Sequence, residues 1–388
     1  MNVLQPIRDL ETIKKRLDVV EELTENEEML FAVTSSLSSL PDLDSIIADI
    51  IRLPARQMTH HTESKINQVI MLKSVLQSLK NVEKCLENAK SSLLLEINEV
   101  VSDKKLSMLS EDASRQAYKE TVEDVYERAN EYCETTGLQL KLQFSSSKGF
   151  FLSLSTNTLD KKPELSPCFI NIGKTRKQWS LTTLELLIKV HSVVTSILEA
   201  IRNDVSLLYK VSEAIGMLDM LSSFAYKCTT SKNYGTLVTK VGGGLNTGLV
   251  RPDFTQTLAI KSGRNPILDT ISTDDVIPND TYASLASSFQ LITGPNMSGK
   301  TTYLKQIALL TVMAHIGSFV PAEYGSFRSP DQILSRLTND SRVEIGISSF
   351  VAEMTEAAYI LKNATAVSLV IVDELGRGKF DEEKETRD

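Results

Sequence analysis

Apolar residues fall at Ile7, Leu10, Ile13, Leu17 and Val20, in steps of three and four, with Asp9, Glu11, Lys14, Lys15, Arg16, Glu21 and Glu22 between them. That spacing lines one face of an amphipathic helix. Similar spacing continues to about residue 130, best patterned over 64–79. Leu53-Pro54 marks a break, because proline lacks the amide a helix needs and disfavours helix just before it. Ordinary helix packing accounts for all of these segments, and 1–130 reads as one helical region.

The pattern then changes. Leu138 to Phe144 alternates apolar and polar, Ser145-Ser-Ser-Lys-Gly149 punctuates, and Phe150 to Leu154 resumes, which predicts a hairpin within a β-rich segment, 131–177. Lys148, Lys161, Lys162, Lys174, Arg176 and Lys177 make it locally basic, with Trp179 at its edge. A solvated hairpin and a phosphate-contacting surface both fit. Over 178–228 the helical period returns: Leu184, Leu187, Val190, Val194, Leu198, Ile201, Val205, Leu208, Val211, Ile215, Leu218 and Leu221. About 40 residues at ~1.5 Å each make a rod of roughly 60 Å, suited to carrying motion or to forming one arm of a bundle. Residues 229–250 have loop composition and no period, and Arg251 to Leu268 reads as the first strands of a further domain, 251–388.

With 388 residues the chain has material for two or three domains. Its 42 basic and 50 acidic residues give a net charge of −8, so it is no globally basic nucleic-acid coater, and any DNA contact must be a local patch. Cys85, Cys133, Cys168 and Cys228 form no C-x-x-C pair, which argues against a disulfide framework or zinc site and fits a reducing compartment. Charges in the first ten residues exclude a secretory leader there. No run of 18 apolar residues follows, so a soluble chain without a membrane partner is expected.

The most specific chemistry lies in Phe289-Gln-Leu-Ile-Thr-Gly-Pro-Asn-Met-Ser-Gly-Lys-Thr-Thr302, an apolar run breaking into Gly294-x-x-x-x-Gly299-Lys300-Thr301 and continuing in helical pattern from Tyr303. This predicts a strand, a phosphate loop and a helix. The two glycines let backbone N–H groups turn around a triphosphate, Lys300 supplies charge to its outer phosphates, and the Thr301 hydroxyl serves Mg²⁺. The helix aims its positive end at the anion. Later in the chain, Ser368-Leu-Val-Ile-Val-Asp-Glu374 reads as a strand buried on both faces, as in a parallel sheet. At its end, Asp373 would hold the metal and Glu374 would orient or deprotonate the attacking water. Ser348 and Ser349 precede another helical pattern, where they serve either as an N-cap or as a phosphate-receiving helix start.

Four stretches together carry a resemblance: Gly294-Pro-Asn-Met-Ser-Gly-Lys-Thr-Thr-Tyr-Leu-Lys-Gln306, Gly317-Ser-Phe-Val-Pro-Ala-Glu323, Ser349-Phe-Val-Ala-Glu-Met354 and Val372-Asp-Glu-Leu-Gly-Arg-Gly378. In combination they resemble the MutS family of DNA repair and recombination ATPases, and further stretches, Met217–Ala225 and the opening Leu4-Gln-Pro-Ile-Arg-Asp-Leu10, are similar to its meiotic branch. The resemblance implies a multidomain protein: a helical lever with an inserted β-rich clamp, then an α/β phosphate-loop ATPase domain of ABC type. ATP and Mg²⁺ are the implied cofactors. Gly294, Pro295, Asn296, Met297, Ser298, Gly299, Lys300, Thr301 and Thr302 would form the ATP loop, with Ile277 and Asn279 beside the adenine. Thr301 and Asp373 would serve the metal, and Glu374 catalysis. Ser349 resembles the signature serine that reaches the partner's ATP, and the clamp likeness moves Lys148, Lys174 and Arg176 to DNA contacts. Implied partners are double-stranded or branched DNA and, in a heterodimer, the meiotic MutS homologue five. The implied setting is the nucleus and its chromosomes, with ATP controlling a ring around recombination intermediates. A mismatch-repair relative, or an inactive fragment that only pairs with partner or DNA, are the alternatives.

The departures are equally specific. Val276 stands where many relatives place a stacking aromatic, and the stretch resembling the family begins at the lever. After Gly378 the family continues into further strand and helices, whereas Lys379-Phe-Asp-Glu-Glu-Lys-Glu-Thr-Arg-Asp388 follows here. That tail, and residues 235–249, are expected to be intron read-through, giving a C-terminally incomplete ATPase domain with weak ATP binding and little turnover alone.

Overall fold

A computed structural model of the chain describes residues 6–52, 59–115, 131, 134, 140–145, 149–155, 169–174, 178–183, 195, 198–238, 248–272, 275–337 and 349–376. Its helices are α1 (Leu10–Glu25), α2 (Glu27–Ser38), α3 (Leu43–Ile51), α4 (Thr59–Leu86), α5 (Ser92–Val101), α6 (Lys104–Arg115), α7 (Val205–Val238), α8 (Leu268–Ile271), α9 (Lys300–Ile316) and α10 (Ser349–Asn363). Two compact units result. One comprises the described parts of Ala32–Ala89 and Leu94–Leu218, the other those of Met1–Phe31, Lys90–Leu93 and Asp219–Asp388.

In the first unit the three-and-four spacing becomes buried stripes. Leu43, Ile46, Ile47 and Ile50 of α3 are buried, as are Leu72, Val75, Leu76, Leu79, Val82 and Leu86 of α4. The Asp42 carboxylate caps α3 by accepting from Ser45 N at 3.2 Å. At its other end, Arg202 donates Nε and Nη2 to the Ile50 carbonyl at 3.2 and 3.0 Å, partnering an oxygen the helix leaves unpaired. The alternating segment forms an antiparallel sheet of β1 (Leu140–Ser145), β2 (Gly149–Ser155), β3 (Phe169–Lys174) and β4 (Gln178–Thr183) in the order β1-β2-β4-β3. The hairpin register sets Phe144 opposite Phe150, and Leu152 opposite Leu181, with both leucines buried. Residues 178–183 are therefore strand, not the start of the long helix: Leu152 to Ser155 of β2 pair with Gln178 to Leu181, and the helical period begins only after them, at Leu184.

The long helical pattern is interrupted at Asp204, a turn in which Leu207 N donates to the Asp204 carbonyl, before α7 begins. Against the loop composition of 229–250, α7 runs on to Val238. The Thr229 and Thr230 hydroxyls donate back to the Ala225 and Tyr226 carbonyls at 3.1 and 2.7 Å, which accommodates polar residues inside the helix.

The second unit is built around α9. Its Leu310 and Ala314 pack with Ile260, Val320, Ala322 and Phe327 in one buried cluster. The surrounding strands are β5 (Leu249–Val250), β6 (Asp253–Phe254), β7 (Leu258–Gly263), β8 (Asn279–Ala283), β9 (Val320–Pro321), β10 (Tyr324–Phe327), β11 (Ile333–Arg336) and β12 (Leu369–Val372). They pair as a mixed sheet β6-β10-β7-β8, an antiparallel β5-β9 pair and a parallel β11-β12 pair. Helix α1 belongs to this unit, with Ile13, Leu17, Val20 and Leu23 buried. The buried Arg16 donates Nη1 to the Ile316 carbonyl at the end of α9, at 3.2 Å.

Two expectations for this unit are corrected. Phe289 to Thr293 is not a strand: Phe289 and Leu291 are 84% and 81% exposed, and among the described residues no strand pairs with its backbone, the one tie to β8 being the Gln290 side chain on the Tyr282 carbonyl. An apolar run becomes a strand only where a neighbour takes its backbone groups. Likewise β12 is covered on one face only, Ile371 being buried while Val370 and Val372 are each 41% exposed. Its one pairing neighbour among the described residues is β11.

Candidate nucleotide site

The loop from Gly294 to Gly299 leads directly into α9. Gly299 has φ of 93°, a left-handed conformation that a side chain would strain, and no side chain caps the helix it precedes. The first amides of α9 are thus left to an anion. Met297, fully exposed, also has a positive φ of 63°. At Gly294 an added Cβ would come within 3.1 Å of the Ser298 hydroxyl. The Lys300 ammonium folds back over the loop, donating to the Gly294 and Pro295 carbonyls at 2.9 and 2.8 Å in exposed hydrogen bonds that hold its charge over the loop.

Asp373, at the carboxyl end of β12 and only 4% exposed, accepts a 2.7 Å hydrogen bond from the Thr301 hydroxyl. Hydroxyl and carboxylate oxygen beside a lysine and a helix start form a hard-oxygen set suited to Mg²⁺ carried with phosphates. No cluster of three or more His, Cys, Asp or Glu residues suited to a metal occurs among the described residues, so any metal here shares its coordination with ligand and water. Glu374 is exposed in the turn after Asp373, with φ of 43°.

The loop helix is fastened to β7 and β8, the two strands preceding the loop. Tyr303 Oη and Thr281 Oγ1 lie 3.0 Å apart, and the buried Gln306 donates to the Gly263 carbonyl at 2.9 Å. Gln306 also accepts from Asn279 at 3.4 Å, joining Asn279 to the helix that carries Lys300 and Thr301. Ile277 is 80% exposed, and Asn279 additionally donates to the Ile277 carbonyl at 3.3 Å. The Asn265 amide reaches the Thr302 carbonyl at 3.4 Å.

Thr301, Asp373, Lys300 and the loop are brought together, and Asn279 is tied to their helix. Ser349 is the first residue of α10, with its side chain outside the described atoms. Lys148, Arg176, residues 377–388 and 239–247 lie outside the described residues, and Lys174 ends β3 with only its backbone described. Sequence reasoning missed Arg336 and Glu353. Arg336 ends β11 and donates Nη1 to the Asp373 carbonyl at 2.7 Å, and its Nη2 lies 3.1 Å from the Glu353 carboxylate. The available signal was Glu353's place one turn beyond Ser349 in the stretch Ser349–Met354.

A glycine-rich loop opening a helix, with its threonine held to an acidic residue at the end of a parallel strand, defines the phosphate-loop class of α/β domain. The profile of MutS domain III matches residues 1–225, and that of MutS domain V matches residues 290–383. The chain belongs to the MutS family. It is 36% identical to MutS protein homolog 4 of Homo sapiens, over 98% of this chain and 44% of that protein. It is 30% identical to DNA mismatch repair protein MSH4 of Arabidopsis thaliana, over 97% and 53%, and 29% identical to MutS protein homolog 4 of Saccharomyces cerevisiae, over 97% and 47%. The chain thus spans about half the length of the curated relatives it matches. No described helix is long and apolar enough to cross a membrane.

Proposed function

We propose that this chain is the lever and ATPase part of a meiotic MutS-type subunit, binding ATP and Mg²⁺ and acting on branched recombination intermediates as a heterodimer with the meiotic MutS homologue five, in the nucleus. The carrying observation is the Thr301–Asp373 hydrogen bond beside Lys300, which assembles the residues a phosphate-bound metal requires. The likeness to relatives named MutS protein homolog 4 over nearly the whole chain supports the meiotic assignment. In this reading the N–H groups from Gly294 to Thr302 hold the phosphates and Lys300 turns from the loop carbonyls to the outer phosphates. Thr301 and Asp373 hold the metal, which when bound neutralises phosphate charge. Glu374 orients the water, Ile277 and Asn279 flank the base, and Ser349 serves the partner's nucleotide. Lys148, Lys174 and Arg176 contact DNA through the clamp.

The test is nucleotide-dependent release from closed circular and linear branched DNA with the partner present. ATP should free the protein from linear DNA and leave it on circles, whereas equal release from both would overturn the ring reading. A second reading, a chain that pairs with partner or DNA but turns over little ATP alone, is favoured by the exposed Phe289 and Leu291, since an unpaired run anchors the loop loosely. A steady-state ATPase rate of the isolated chain equal to that of the heterodimer would dismiss it.

A further inference from the structure

The turn after β12 is held by residues assigned no role so far. Asp373 and Gly376 enclose a stretch in which Glu374 and Gly376 both have left-handed backbone, φ of 43° and 91°. A non-glycine residue in that region is costly on its own, about 1–2 kcal/mol, and persists only where surrounding contacts over-determine it. Two side chains hold the backbone on either side of it. Arg336 donates to the Asp373 carbonyl at 2.7 Å, and the Asp373 amide donates to the Arg336 carbonyl at 2.9 Å, so the two residues clasp each other at the ends of β11 and β12. Glu353, on α10 and 5% exposed, accepts from the Gly376 amide at 2.5 Å with the same carboxylate oxygen that pairs with Arg336 at 3.1 Å. Arg336 Nε is 3.8 Å from Glu356, one turn further along α10.

We infer that Arg336 and Glu353 are positioning residues that fix the Asp373–Gly376 turn and couple it to α10. Removing Arg336 leaves the buried Glu353 carboxylate without its cation, and removing Glu353 leaves Arg336 with the more exposed Glu356 at 3.8 Å, so the brace depends on both residues. Its position makes it specific. It grips the backbone on both sides of Glu374 and places the Asp373 carboxylate against Thr301. It also joins that turn to the helix whose first residue is Ser349, so a displacement of α10 moves the metal-side carboxylate and Glu374 together. The functional part of this inference rests on the ATP reading; the mechanical part does not.

The experiment uses the full chain with R336A, E353A, E353Q and the double variant R336A/E353A. Hydrogen exchange is read for peptides over 369–376 and over α9, together with binding of a fluorescent ATP analogue with and without Mg²⁺. The expected result is faster exchange confined to 369–376 in the alanine variants, no further loss in the double variant because the pair acts as one unit, and partial recovery in E353Q, which keeps an acceptor for Gly376. The Mg²⁺-dependent gain in nucleotide affinity should fall about tenfold or more with metal-free affinity retained, as expected when a ligand oxygen is displaced by a fraction of an ångström. Exchange that rises equally in α9 means a general stability role and overturns positioning. Exchange and Mg²⁺ response that both stay unchanged also overturn it. If the unsubstituted chain binds no nucleotide while exchange still rises only at 369–376, the ATP reading falls and the brace stands.

Discussion

The Thr301 hydroxyl donates to the Asp373 carboxylate at 2.7 Å across 72 positions of sequence, joining the first turn of α9 to the end of β12. Both groups are oxygen ligands of the kind Mg²⁺ takes, and a nearby lysine keeps the local charge tolerable to phosphates. T301A and D373N should therefore abolish most of the Mg²⁺-dependent gain in nucleotide affinity while leaving the metal-free component. Titration with a fluorescent ATP analogue across Mg²⁺ concentrations reads this directly, and an unaltered Mg²⁺ response in D373N would remove Asp373 from the site.

Lys300 offers a separate test. Its two hydrogen bonds to the Gly294 and Pro295 carbonyls hold the ammonium over the loop, and in the proposed ATP reading these give way to bonds with phosphate. A charge-assisted hydrogen bond contributes about 1.5–3 kcal/mol, so K300A should weaken nucleotide binding roughly 10- to 100-fold. Equilibrium binding with and without Mg²⁺ should show the loss in both, unlike D373N, because the lysine addresses phosphate and not metal.

How much of this was legible in the sequence depends on the range of the signal. The loop, the helix from Lys300 and the acidic end of β12 were legible because each is encoded within a few residues: glycines at the turn, helical spacing after it, a continuous apolar run before Asp373. The hairpin was legible for the same reason, as Phe144 opposite Phe150 follows from alternation and a Ser/Gly turn. The failures all turn on neighbours. An apolar run at Phe289 specifies a strand only if another strand receives its amides, and β12 is buried on two faces only if something covers Val370 and Val372. The Arg336–Glu353 pair joins a strand end to a helix interior at positions that no local pattern marks, and α7 runs on to Val238 where composition suggested a loop.

Gly317 closes α9 with φ of 86°, and its amide reaches back to the Ala314 carbonyl. A Cβ at this position would lie 2.6 Å from the Cβ of Arg16, whose guanidinium bonds the adjacent Ile316 carbonyl. Alanine therefore meets two penalties. Left-handed backbone costs about 1–2 kcal/mol, and displacing Arg16 adds to it, because its buried charge then loses the carbonyl. G317A should lower the melting temperature by at least about 3 °C, taking ~2–4 °C per kcal/mol for a unit of 150–250 residues. Calorimetry on G317A, R16A and R16A/G317A separates the contributions: alanine at 16 keeps the Cβ that G317A meets but has no guanidinium to displace, so the double variant should lose less than the sum of the single changes.

His315 sets a pH limit on the same unit. It is 3% exposed, its ring donates Nδ1–H to the Thr311 carbonyl at 2.7 Å and meets Phe254 edge-on at 5.2 Å, and its Nε2 is buried with no hydrogen-bond partner among the described residues. Burial lowers its pKa below the ordinary 6.5, outweighing the Thr311 carbonyl, which pulls the other way. The unfolded chain thus takes up a proton at a higher pH than the folded one. Where the unfolded state binds more protons, stability rises with pH. The contribution of neutral His315 is complete above pH 6.5, declines as pH falls through that value, and levels off below the depressed folded pKa. Melting temperature measured from pH 8 to pH 5 should therefore fall more steeply for the unsubstituted chain than for H315N, which has no ionisable ring. Parallel curves would show that the proton is taken up elsewhere.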